Sequence, residues 1–314
     1  MYSIGIDVGG TGIQVGLVDE QGRILHRGGI VTRTDIPFEQ QVKAMADCVL
    51  EVVESSGHPL DEISFIGAGV PGVADPRTGN IAFCTNLGWK DVPFCQEMRR
   101  WIDKPVYTDN DATVAALAEY HAGVSAGTSS SVFITLGTGV GGGIVLNGKV
   151  WSGFHGVGSE IGHMIFDLDG EPCTCGNRGC LERYCSATAI IRMAREAVKA
   201  TPDCLVLQKA GGDPEKINAK IVIDSAREND PVGTEVFGRY VRYLAQAIAN
   251  IVNFLDPEMI VLGGGVSKAG DFLLDAVRKD VPKYLLYKTL PYSRIELARL
   301  GPDAGIIGAA MLGR

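Results

Sequence analysis

The segment "YSIGIDVGGTGIQVGLVDEQGRIL", Tyr2 to Leu25, reads as a strand, a glycine-rich turn, a second strand, a turn at Glu20–Gly22 and a third strand. Ile4, Ile6 and Val8, then Val15 and Leu17, alternate as half-buried strands do. The design recurs about 130 residues later in "SVFITLGTGVGGGIVLNGKV", Ser131 to Val150: strand, Gly/Thr turn, strand, Asn-Gly turn, strand. Solenoid repeats have periods of about 20–50 residues, so duplication on this larger scale implies two related domains.

Between and after the two copies, strands alternate with helices. Phe38, Val42, Met45, Val49 and Val53 repeat at helical spacing, which predicts an amphipathic helix over about 38–56. Helices are also expected over 187–200, over 235–254, from Phe272 to Leu286, and in the small-residue end "AGIIGAAML". "EMIVLGGGV" is a buried strand that closes on glycines. The class is therefore α/β. Expected boundaries are 1–118 plus a returning C-terminal helix at 303–314 for the smaller domain, and 119–302 for the larger.

Composition excludes several classes. The 314 residues carry a formal net charge of −8 and no basic run, which disfavours a nucleic-acid binder. "MYSIGIDVGG" lacks the basic and apolar regions of a signal peptide, and no apolar run approaches the roughly 20 residues of a membrane span. A cytoplasmic protein without membrane or nucleic-acid partners is expected, and in that compartment clustered cysteines point to metal or catalysis before disulfides. Glycine, 41 of 314, is about twice its usual share, marking tight turns and close backbone approaches.

Three glycine turns follow strands: "DVGGTG" (7–12), "LGTGVGGG" (136–143) and "LGGGVS" (262–267). Their bare backbone N–H groups suit phosphates, although glycines in hairpins are commonly just turns. Gly137, Gly139 and Gly142 spell G-x-G-x-x-G, but a strand follows where the dinucleotide fingerprint needs a helix. Gly143–Lys149 spells G-x-x-x-x-G-K, but Val150 stands where a Ser or Thr is required. Both motifs are rejected. Asp7 fits either an Asx-type turn or an approach to phosphate-bound Mg²⁺.

"TDNDATVAALAEY" places Asp109, Asn110 and Asp111 at a helix start. One of them is expected to cap the helix; another can face a substrate hydroxyl and take its proton in phosphoryl transfer. His163, Cys173, Cys175 and Cys180 form a donor set suited to a closed, structural Zn²⁺ site, the alternative being a buried histidine among unrelated cysteines. Such a site would stiffen the loop carrying Glu160 and Glu182.

Taken in order, "DVGGT", "GAGVPG", "NLGWKDVP", "DNDA", "LGTGVGGG", "EIGH" and "CTCGNRGCLE" resemble the ROK family of bacterial sugar kinases and repressors over nearly the whole chain. "NLGWKDVP" and "CLERYCSATAI" make it most similar to the family's glucokinases. The resemblance implies two actin-like (ribonuclease H-like) domains flanking a central cleft. It implies ATP with Mg²⁺ as donor, a structural Zn²⁺, and phosphorylation of glucose at its 6-hydroxyl, the entry step of glycolysis. Another hexose, such as N-acetylmannosamine, allose, mannose or fructose, is the alternative; a sugar-responsive regulator without a DNA-binding domain is a remoter one. Asp111 becomes the catalytic base. Gly72, Asn86, Asn110, Glu160, His163 and Glu182 become sugar contacts, His163 also serving the zinc. Asp7, Gly9, Gly10, Thr11, Thr138 and Gly139 attend the phosphates, with Gly264 and Gly265 near the adenosine. A homodimer or homotetramer is expected.

Overall fold

The computed structural model describes every residue from Met1 to Arg314 except Pro76. Its chain divides into two compact units, one of residues 1–133, 143–159 and 299–314, the other of residues 134–142 and 160–298. The expected boundary at 118/119 falls inside a helix, so the first unit continues beyond it; the C-terminal return begins at Arg299, slightly ahead of 303.

In the first unit, β1 (Tyr2–Val8), β2 (Gly12–Val18) and β3 (Ile24–Val31) form the expected antiparallel meander. Helix α1 (Phe38–Ser56) follows and buries Val42, Met45, Val49 and Val53, the predicted face. It stops at Gly57, whose φ of 75° ends the helix in the left-handed region. Next come β4 (Ile63–Val70), the small sheet of β5 (Val73–Asp75), β6 (Asn80–Cys84) and β7 (Trp89–Val92), then α2 (Phe94–Arg99), β8 (Val106–Asn110) and α3 (Asp111–Ala122). The main sheet has the order β3-β2-β1-β4-β8, with β1, β4 and β8 parallel. That register lines up Asp7, Gly69 and Asp109 across the carboxyl ends of the parallel strands. In open α/β sheets this is the ligand-binding edge.

Strands β9 (Ser130–Leu136), β10 (Val140–Leu146) and β11 (Lys149–Val150) repeat the meander. Asn147 and Gly148 join the last two with φ of 50° and 77°, as the Asn-Gly turn requires. The second unit holds α4 (Glu182–Cys185), α5 (Ala187–Ala197), α6 (Leu205–Lys209), α7 (Ala219–Arg227), α8 (Pro231–Leu255), β12 (Met259–Gly263), α9 (Asp271–Asp280) and β13 (Arg294–Leu297). The second sheet runs β11-β10-β9-β12-β13. Helix α9 ends at Asp280, not near Leu286 as the pattern implied, because Pro282 lacks the N–H an α-helix needs there; one 3₁₀ turn replaces it.

Helix α10 (Ala304–Ala309) returns to the first unit and explains part of the glycine excess. Gly5 and Gly67 are register partners in β1 and β4. A Cβ on Gly5 would lie 1.9 Å from the carbonyl oxygen of Ile306, and one on Gly67 1.8 Å from that of Ala309. The helix thus rests backbone to backbone on the sheet. Among the described residues no helix is long and apolar enough to cross a membrane.

Candidate active site and metal cluster

Each unit brings its own set of predicted residues together. In the first, the turn after β1 is closed by Gly9 N–H donating to Gly12 O at 3.0 Å. The Thr32 hydroxyl donates to Gly9 O at 2.7 Å and its N–H to Thr11 O at 3.3 Å, so the turn holding Gly9, Gly10 and Thr11 is fixed from β3's end. Gly10 faces Asn86: a Cβ there would lie 3.8 Å from the Asn86 Cβ. Asp7, at the end of β1, is backed by Gly305, where a Cβ would lie 2.4 Å from its Cγ. Burial raises the Asp7 carboxyl above its ordinary range.

Helix α3 begins where β8 ends, and its three polar starters divide the work. Asn110 is the cap: its Oδ1 accepts from Ala112 N–H at 2.9 Å and Thr113 N–H at 3.3 Å. Its Nδ2 donates to Gly72 O at 3.0 Å, which brings two predicted sugar contacts into one bond. Asp111 Oδ1 accepts from Ala112 N–H at 2.8 Å. Asp111 also lies near the thiol of Cys84, which burial pushes up and the Asp111 charge pushes further, while the N–H groups of Leu87 and Asn86 oppose the rise. Thus Asp111, Asn110, Gly72, Asn86 and Gly10 occupy one neighbourhood.

Asp109 was not singled out from the sequence, yet it is the most perturbed carboxyl of this group. It is buried, accepts from Asn110 N–H at 2.7 Å and from the Ser152 hydroxyl at 3.2 Å, and burial lifts it to about 6. Ser152 opens a short loop closed on itself by Gly158 N–H donating to Ser152 O at 2.7 Å.

In the second unit, the turn between β9 and β10 is pinned by the segment that starts α4 and α5. Val140 N–H donates to Glu182 Oε2 at 3.0 Å, Ala187 N–H to Gly137 O at 2.8 Å, and the Thr188 hydroxyl to Thr138 O at 2.8 Å. The Glu182 carboxylate sits over Gly139, where a Cβ would lie 2.2 Å from its Oε2. Gly264, with φ of 84°, packs on Leu136 at the start of the same turn, and Ser267 Oγ donates to Gly264 O at 2.8 Å; Gly265 follows in open space. Two of the three predicted phosphate loops therefore meet.

Glu160 is exposed and precedes a 3₁₀ turn closed by His163 N–H on Glu160 O at 3.0 Å. Gly162 lies against β10, where a Cβ would lie 2.0 Å from Val140 O. His163 joins Cys173, Cys175 and Cys180 in a set whose donor atoms all lie within 4.8 Å of one another. Cys173 Sγ is 3.8 Å from His163 Nδ1, and Cys175 Sγ is 3.6 Å from Cys180 Sγ. The Asn177 backbone N–H lowers the exposed Cys175 thiol to about 7, while burial pushes Cys180 up to about 12. All eight cysteines are free thiols. The loop folds back through Phe166 N–H to Gly179 O and Leu181 N–H to Met164 O, both 2.8 Å, and so delivers Glu182 two residues after its last cysteine.

Comparison with known proteins places this geometry. The sequence model of the ROK family matches residues 3–314. A glucokinase of Thermotoga maritima is 37% identical over 310 residues, 98% of this chain and 96% of that protein. One from Halalkalibacterium halodurans is 38% identical over 315 residues, 99% of this chain and 94% of that protein. The solved structure of a ROK family glucokinase from Streptomyces griseus, in complex with glucose and AMPPNP, superposes with a TM-score of 0.83 at 35% identity, covering 99% of both chains.

Proposed function

Because this chain belongs to the ROK family, we propose that it is an ATP-dependent hexokinase that phosphorylates glucose at the 6-hydroxyl. The observation that carries the reading is its full-length likeness to glucokinases, one of them solved with glucose and a nucleotide analogue bound. The fold is the α/β, actin-like two-domain class of those relatives.

The roles follow from the chemistry of each neighbourhood. Asp111 takes the proton of the sugar 6-hydroxyl as that oxygen bonds the γ-phosphorus and the bond from γ-phosphorus to the β,γ-bridging oxygen breaks, leaving ADP. Its place at the strand ends, beside Asn86 and the Asn110–Gly72 pair, supports that role. Asn86, Asn110, Gly72, Glu160, His163 and Glu182 bind the sugar. The turns at Gly9–Thr11 and Thr138–Gly139 hold phosphates, and Gly264–Gly265 flank the adenosine. Asp7 stands near the Mg²⁺ that accompanies ATP.

The cysteine and histidine set supports a structural zinc. Zn–S bonds of about 2.3 Å in a tetrahedron put sulfurs roughly 3.8 Å apart. The Cys175–Cys180 and Cys173–His163 separations of 3.6 and 3.8 Å agree. Four protein donors would close the coordination shell, so the ion would hold the loop and supply no reaction step. His163 meets the set through Nδ1, which leaves its Nε2 edge for a sugar hydroxyl.

The test is ADP release measured over a hexose panel, with bound metal quantified on the same sample. Release that depends on glucose above the other hexoses, with about one zinc per chain, is the expected result. ADP release indifferent to any sugar would overturn the kinase reading.

A further inference from the structure

The Thr138 turn carries glycines on both sides, so its own side chains cannot fix its shape. The structure supplies the restraint from elsewhere, through the hydrogen bonds of Glu182 to Val140 N–H and of Thr188 to Thr138 O. We propose that Glu182 and Thr188 are positioning residues for the phosphoryl donor, holding the Thr138–Gly139 turn with its N–H groups set for phosphate; the inference rests on the kinase reading.

Thr188 has no other evident reason to reach across 50 positions of sequence. It is exposed in the first turn of α5, where Ser186 already caps the helix by accepting from Ala189 N–H. Its hydroxyl is spent on the Thr138 carbonyl, at the residue whose neighbours would meet the phosphates. Glu182 works from the other end of the turn. Its carboxylate is seated over Gly139, and a carboxylate offers about four acceptor positions. One can grip the turn while another receives a sugar hydroxyl. Glu182 would thus serve both substrates, directly for the sugar and through the turn for ATP.

The two contributions separate by substitution. Thr188→Val keeps shape and removes the hydroxyl, and its exposure spares the fold. Titration of the full chain with AMPPNP, without sugar, should show nucleotide affinity falling about fivefold to tenfold, the size of one lost hydrogen bond. The KM for ATP should rise with it, the KM for glucose should stay within about twofold, and Thr188→Ser should restore both. Glu182→Gln still presents an acceptor to Val140 N–H, so it should weaken glucose while sparing AMPPNP; Glu182→Leu should weaken both. Parental AMPPNP affinity in Thr188→Val, or equal losses in the Val and Ser variants, would overturn the proposal. A nucleotide effect in a chain without sugar-dependent ADP release would leave the clamp standing and remove the kinase reading instead.

Discussion

Asn110 ties two segments of the first unit together, its Nδ2 donating to Gly72 O at 3.0 Å while its Oδ1 caps α3. The two functions can be separated. Asn110→Asp keeps the acceptor at the cap and loses the donor; Asn110→Ala loses both. Urea unfolding should place the Asp variant about 1 kcal/mol below the parent and the Ala variant about 2 kcal/mol below it. Equal midpoints for the two variants would show that the Gly72 bond contributes nothing beyond the cap.

Asp111 is the neighbour to which the proposed reaction assigns the proton transfer. In Asp111→Asn the side-chain oxygen can still accept from Ala112 N–H, so the start of α3 survives. Turnover should fall by about 10²–10⁴-fold, the usual weight of a positioned general base. Glucose binding, followed by calorimetry, should remain measurable. A variant with parental kcat would remove Asp111 from its role.

The cysteine loop makes its own prediction. Cys180 is fully buried and its thiol is held high by that burial, so the ionised form needs a cation beside it. Chelation of the holoprotein and Cys180→Ser should each release about one zinc per chain and lower the melting temperature. Because Glu182 follows two residues later, glucose affinity should fall at least about tenfold in both cases. Loss of metal with unchanged melting and unchanged glucose affinity would argue against a structural role.

Asp109 gives the pH dependence. Its folded carboxyl sits at about 6, raised from the ordinary 3.8 by burial. Below about pH 3 the group is protonated whether folded or unfolded, and it has no effect on stability. Between about 4 and 6 the folded state holds a proton that the unfolded state has lost, so stability falls as pH rises through that window. Above it the buried charge costs on the order of 2–3 kcal/mol. Asn is isosteric and can keep partners in Asn110 N–H and the Ser152 hydroxyl. Asp109→Asn should therefore unfold at higher urea than the parent at pH 8 and at nearly the same urea at about pH 3. A gap that does not change with pH would refute this.

How much of this could be read from the residues depends on the range of the interaction. The duplicated meander, the Asn147–Gly148 turn, the α1 face and the grouping of Cys173, Cys175 and Cys180 follow from local period, turn chemistry and spacing. That one of Asp109, Asn110 and Asp111 caps α3 was also local; which one was not, because all three are good caps and the Gly72 carbonyl that selects Asn110 is 38 residues away. The Ser152–Asp109 and Thr188–Thr138 bonds span 43 and 50 residues. No short motif announces such pairs, since they exist only once the sheets have assembled. The excess of glycine was legible as a warning of close approach, but not where the approach would occur.

Gly67 offers the sharpest test of that approach. It sits in the middle of β4, where a glycine weakens the strand and has no turn to justify it. Its register partner Gly5 is equally anomalous in β1, and both face α10. The added Cβ of Gly67→Ala would overlap the Ala309 carbonyl at 1.8 Å, and neither partner is a side chain that can swing away. The helix must lift, and with it Gly305, which backs Asp7. The cost should reach about 3 kcal/mol or more, well beyond the roughly 1 kcal/mol that a typical point mutation removes. Ala at Gly238, exposed in α8 with nothing within 4 Å and no left-handed φ, controls for the general effect of losing a glycine. If Gly67→Ala unfolds at the same urea as the parent, the helix does not rest on the sheet through its backbone, and the account of the glycines fails with it.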